Sequence, residues 1–204
     1  MNIEVADLDK GYTQCSELNT LSSTKGEQLI SSLEGDITTL RNNWKGNDAT
    51  VHLNNLIKVH DALVAVVTDA KALTSAAGGA MSDIQRVRSA NGGAGPVGGD
   101  LPNTPPKSIT IPVVPETQEY YCKPAAEADY NTLTEICNNF QSFASDFKSQ
   151  KDALLQNWTA GCNHETAVAK FGEFENNSAD YYSIITKAKE NLATAIANIK
   201  KVGE

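Results

Sequence analysis

All seven prolines of this 204-residue chain fall between Pro96 and Pro124, and Gly92, Gly93, Gly95, Gly98 and Gly99 cluster at the start of that stretch. Proline in a helix interior costs about 3 kcal/mol, because it lacks the N–H and clashes with the preceding turn. The flanks are therefore free to be helical and the middle is not. This partition sets the expected organisation: residues 1–90, a Gly/Pro-rich linker over 91–124, and residues 125–204.

Both flanks carry the spacing of a packed helix seam. In the first, Ile30, Leu33, Ile37, Leu40 and Trp44 step by three and four, with Leu8, Tyr12 and Cys15 upstream and Ser22 and Gly26 as a small-residue patch between. A second run, from Leu53 through Leu56, His60, Leu63, Val67, Ala70, Thr74, Ala77 and Met81 to Ile84, keeps the same rhythm. A parallel row of His52, Val59, Val66 and Leu73 widens that face. Gly78-Gly79 is expected to weaken this helix, at about 1 kcal/mol per glycine. In the second flank the seam is Tyr130, Leu133, Cys137, Phe140, Ala144, Phe147, Leu154 and Trp158, with Lys151 as its one polar break. Val168, Phe171, Phe174, Tyr181, Ile185, Ala188, Leu192, Ile196 and Ile199 follow.

The only two tryptophans stand at the hinges of these stretches, and Leu40-Arg-Asn-Asn-Trp44 lies over Leu154-Leu-Gln-Asn-Trp158 as an internal repeat. In each case a glycine follows, Gly46 or Gly161, then a residue able to start a helix. Each half is a helical hairpin that cannot bury its stripe alone, so the other half is its natural partner. The expected fold is all-α: two long hairpins packed antiparallel as an elongated four-helix bundle. The linker length favours that pairing. Antiparallel hairpins require the chain to travel on the order of 50 Å before the third helix starts, which 34 residues span at roughly 3.3 Å each. Within the linker, Ser108-Ile-Thr-Ile-Pro-Val-Val-Pro115 alternates apolar residues between prolines. Its Ile109–Val113 portion is expected to lie extended along the bundle groove.

A net charge of −8 and a pI near 4.9 argue against a nucleic-acid or anionic-membrane surface, since both demand clustered Lys and Arg. No run approaches the roughly 18 apolar residues of a membrane-spanning helix. The first residues, Met-Asn-Ile-Glu-Val-Ala-Asp, lack the order of a Sec-type signal peptide, and cytoplasmic synthesis is expected.

His52 and His60 are eight residues apart on an inner face, whereas helix-borne metal pairs sit three or four apart. Core or boundary histidines are expected. Cys162-Asn163-His164 has no second pair at zinc-site spacing, and Asn163 or Cys162 beginning a helix is the simpler account. Cys15, Cys122, Cys137 and Cys162 form no CxxC pair. Free thiols are expected, with Cys15–Cys122 the pairing left open. Glu-x-x-His, Gly-x-Ser-x-Gly and phosphate-loop patterns are absent, and no paired-carboxylate constellation is expected. An enzyme, a cofactor or a metal centre is not expected.

The helix–Trp44-Lys45-Gly46–helix arrangement over about ninety residues resembles the Trp-X-Gly (WXG, ESAT-like) family of type VII secretion in Gram-positive bacteria and mycobacteria. The resemblance covers 1–90 well and 125–204 less well. It implies a tandem fusion of two such protomers that pairs with itself as a monomer and is secreted as a substrate or with a larger effector. It also implies that the Trp-X-Gly loop, together with a C-terminal tail, is read by the secretion ATPase. Recognition is then expected at Trp44 and Gly46 more than at Trp158 and Gly161. Two departures stand out. The second turn, Trp158-Thr-Ala-Gly161, is one residue longer than the motif, and none of the six tyrosines has Asp or Glu four residues on, which is the family's export signal. The alternatives are a cytoplasmic chaperone holding the N-terminal helices of a toxin, and a helical pore-former. Support for a pore-former is poor, because Ile109 to Val114 is short and broken by Pro112.

Overall fold

The structure, a computed structural model, describes residues 7–93, 100–111, 123–159 and 163–202, with side chains for 7–93, 100–111, 124–159 and 163–198. The described residues contain no strand and form long helices packed against one another. Helix α1 (Leu8–Leu21) passes through a single π-helical segment, Ser22–Gly26, into α2 (Glu27–Asn43); α3 spans Asn47–Ala90, α4 Lys123–Asn157 and α5 His164–Val202. Asp7 caps α1, its carboxylate accepting the Lys10 N–H at 3.1 Å. Helix α3 ends where Gly92 takes a φ of +84°, the left-handed conformation that closes many helix C-termini. Helix α4 starts at Lys123 and takes Pro124 into its first turn, where a missing N–H costs nothing.

Two compact units make up the chain, and each draws on both flanks of the linker. The first comprises Met1–Gly26, Val66–Pro106 and Phe143–Ser178. Its core holds Phe143, Phe147, Phe171 and Phe174, with the Phe147 and Phe174 rings 4.2 Å apart. At the seam's polar break, Lys151 Nζ reaches Glu175 Oε1 at 2.5 Å, so α4 and α5 are tied by a charge pair rather than separated by it. Buried Asn19 donates to Thr74 Oγ1 at 3.0 Å. The second unit comprises Glu27–Ala65, Lys107–Ser142 and Ala179–Glu204, and Phe140 meets Tyr181 edge-on at 4.4 Å in its core.

The seam from Ile30 to Trp44 and the α3 run from Leu53 to Ile84 are buried as the spacing predicts. Five positions differ, among them Tyr12 and Ala144, which are half-buried. Val168 is exposed and Ala167 takes its place, because both lie one helical turn before Phe171 and the stripe passes through the residue four back. Tyr130 is only half-buried, with Asp129 and Ala126 inside instead; Leu73 is likewise half-buried beside the buried Lys71.

The described part of the linker seats on the helices chiefly at Leu101 and Pro106, with Ile111 half-buried beyond them. Leu101 and Pro106 are buried, while Ile109 is 53% exposed; Pro112 and Val113 lie outside the described residues. Ser75 Oγ donates to the Leu101 carbonyl at 3.0 Å and Asn19 Nδ2 to the Pro102 carbonyl at 2.9 Å. Farther along, the Ile109 N–H donates to Glu34 Oε1 at 2.7 Å. Gly78 has a packing role beside its helix propensity. Its missing Cβ makes the space that Leu101 fills, since a built Cβ would stand 2.5 Å from Leu101 Cδ1. Gly26 likewise admits the Val67 methyls, the nearer at 2.8 Å.

Candidate functional site

The two tryptophan turns share their construction. Helices α2 and α4 each end one residue before the tryptophan, at Asn43 and Asn157. The Trp44 N–H donates to the Leu40 carbonyl at 2.8 Å, and the Trp158 N–H to the Leu154 carbonyl at 2.9 Å. Each indole then lies against a histidine: Trp44 and His52 are 5.9 Å apart, Trp158 and His164 5.6 Å. The residue before the next helix has positive φ in both turns, 117° at Gly46 and 62° at Asn163. Asn163 therefore holds the position of Gly46, and its carbonyl starts α5 by accepting the Ala167 N–H at 2.8 Å. Asparagine tolerates this conformation better than other side-chain-bearing residues. Gly161 and Cys162 lie outside the described residues.

Both indoles are buried, Trp44 at 2% exposure and Trp158 at 0%. The surface of the first turn is instead made by Lys45, Asn47 and Asp48, which are exposed, with Gly46 between them. The Trp44 side chain thus lies beneath the loop and not on its surface.

Under Trp44 lies a cluster that the sequence did not suggest. His52 of α3 and Asp129 of α4 are buried, at 5% and 2% exposure, with His52 Nε2 2.6 Å from Asp129 Oδ2. Asp36 of α2 adds a second carboxyl within hydrogen-bonding reach of Asp129. With both acids ionised, Asp36 Oδ2 and Asp129 Oδ1 would be buried without a donor. One proton would resolve this: a protonated Asp36 would donate to Asp129, which would also accept from the Nε2–H tautomer of a neutral His52. Burial, reinforced by the facing Asp129, pushes Asp36 up to about 9; burial pushes Asp129 up to about 6 and brings His52 down to about 4. The signal available in the sequence was Asp129 itself, an acid standing four residues before Leu133 on the seam.

His60 is a boundary histidine as expected, its Nε2 3.1 Å from Glu34 Oε1, and it shares that carboxylate with the linker N–H of Ile109. Cys15 and Cys137 are buried free thiols; Cys122, the partner left open for Cys15, lies outside the described residues. Burial pushes the Cys15 thiol up to about 12. Among the described residues no group of three or more His, Cys, Asp or Glu side chains could hold a metal ion, and no helix is long and apolar enough to cross a membrane. No protein-family model, no curated protein and no solved structure matches the chain.

Proposed function

We propose that the chain is a tandem pair of Trp-X-Gly hairpins that works in type VII secretion, as a substrate or as the partner of a larger effector. The observation that carries this reading is the duplicated turn: the same helix end, buried tryptophan, histidine neighbour and positive-φ residue, once in each half. The composition of the units supports antiparallel pairing. One unit groups the first turn with the start of α4 and the end of α5, and the other groups the second turn with α1 and the end of α3. The function is non-enzymatic, and the surface read by the secretion ATPase or the effector is the loop Lys45–Asp48 held by Trp44.

The test is export from a Gram-positive type VII host. Lys45→Glu with Asn47→Lys reverses the loop's surface chemistry at exposed positions and should leave helicity unchanged. Loss of the chain from the culture supernatant, or of its co-purification with the ATPase, is expected. Normal export and capture with intact helicity would overturn the recognition role and bring the toxin-chaperone reading to the front.

A further inference from the structure

The acid pair below Trp44 has no evident use in a merely structural bundle end. Two buried carboxyl oxygens facing each other are tolerable only while a proton sits between them, because like charges in one desolvated site repel strongly. Three different helices supply the members of the trio: Asp36 from α2, His52 from α3 and Asp129 from α4. Thr132 of α4, whose hydroxyl donates to the Ala128 carbonyl at 3.2 Å, lines the cleft beside the trio. This cleft of about 500 Å³ is walled by Thr39, Asn43, Ala125 and Ala128 among others, and among the described residues the two acids are its only charged side chains. On α5, the cation brought to this part of α4 is Lys189, which stands over the Tyr130 ring 5.8 Å from its centroid. Among the described residues, no cation lines the cleft to neutralise a second ionised acid.

We propose that Asp36, His52 and Asp129 form a proton-operated latch that holds the Trp44 turn in its recognised shape and releases it when the proton between the two acids is lost. The proposal regulates the surface assigned above and rests on that assignment. In the closed state Asp36 donates to Asp129, Asp129 orients the His52 ring, and the ring supports the Trp44 indole. Ionisation of Asp36 sets two carboxylates against each other, separates α2 from α4 at this level and withdraws the support under the indole.

The direction in pH follows from linkage. An acid raised in the folded state stabilises the fold fully below its unfolded value of 3.8, and that contribution is lost as pH rises toward about 9 for Asp36 and about 6 for Asp129. His52 is lowered, so its contribution is present above 6.5 and lost as pH falls toward about 4. The two effects oppose each other in acid. From neutral pH upward Asp36 acts alone among the three, and there the latch should open.

The experiment follows Trp44 emission in the full chain carrying Trp158→Phe, titrated from about pH 6 to about pH 10, with and without Asp36→Asn. Asparagine donates permanently to Asp129 and cannot ionise. A red shift with a midpoint at or below about 9 is expected for the Asp36 chain, and its loss in the Asp36→Asn chain. Hydrogen exchange of residues 44–52, corrected for the intrinsic pH dependence, reads the same opening in the chain without Trp158→Phe. Absence of any transition, or an identical one in Asp36→Asn, overturns the latch. The titration needs no secretion partner. It can therefore fail while loop variants still block export, or succeed while they do not.

Discussion

Gly78 is the socket of Leu101: a Cβ on the glycine would stand 2.5 Å from Leu101 Cδ1 and 2.8 Å from Cγ. A residue that weakens α3 locally thereby fastens the linker to it. Asn19 and Ser75, holding consecutive linker carbonyls, complete the seat. This makes the glycines of the chain distinguishable by experiment.

Gly35, Gly79 and Gly172 are helical, and a Cβ at each meets nothing within 4 Å. Alanine at each should stabilise by up to about 1 kcal/mol through helix propensity, raising the melting temperature by about 2–4 °C. Alanine at Gly78 should forfeit that gain by ejecting Leu101, and limited proteolysis should then cut near Leu101 faster than in the parent. Alanine at Gly26 should lower stability through its clash with Val67. Equal thermal shifts at all five sites would contradict the packing described.

The two positive-φ positions separate in the opposite sense. Gly46→Ala places a side chain where φ is 117° and should cost about 1–2 kcal/mol, whereas Asn163→Gly should be neutral or slightly stabilising. Urea unfolding of both variants checks this.

Trp44→Ala should destabilise the fold by about 3–5 kcal/mol, because the indole is buried. Trp158→Ala should cost a similar amount. Any export defect of either variant must therefore be read alongside its circular dichroism, which is why the surface residues Lys45 and Asn47 carry the functional test.

Leu63 and Phe140 sit mid-seam and fully buried. Aspartate at either should unfold the chain, as an unpaired charge would enter the core. Thermal melts within about 2 °C of the parent would place these faces outside.

The helices and most of their buried faces were legible because three- and four-residue spacing maps directly onto one side of a helix. What escaped depends on partners distant in sequence. Nothing in Gly78 announces Leu101, which lies beyond a turn and a glycine-rich stretch. The choice between Ala167 and Val168 was open, since both precede Phe171 by one turn and the bulkier residue drew the assignment. No spacing singles out Asp36 and Asp129, because their juxtaposition depends on each other and on His52, from three different helices. The second tryptophan turn was found from its repeat, but the residue equivalent to Gly46 is Asn163 and not Gly161, because φ and not residue type aligns the two.

A self-paired fusion supplies its own partner at high effective concentration. Light scattering should therefore report a monomer of 21.8 kDa. A stable dimer would mean that the two halves leave each other unsaturated.

Antiparallel pairing of the two hairpins is the central claim, and the distance between spin labels attached at Thr39 and Ala128 tests it most directly. Both residues line the same cleft, one on α2 near the first turn and the other near the start of α4. Antiparallel pairing predicts a separation set by neighbouring helices, about 10 Å between axes plus the label arms. Parallel pairing would carry the start of α4 to the other end of the first hairpin, and a separation approaching ~50 Å, the length of such a helix, would contradict the fold and the function built on it.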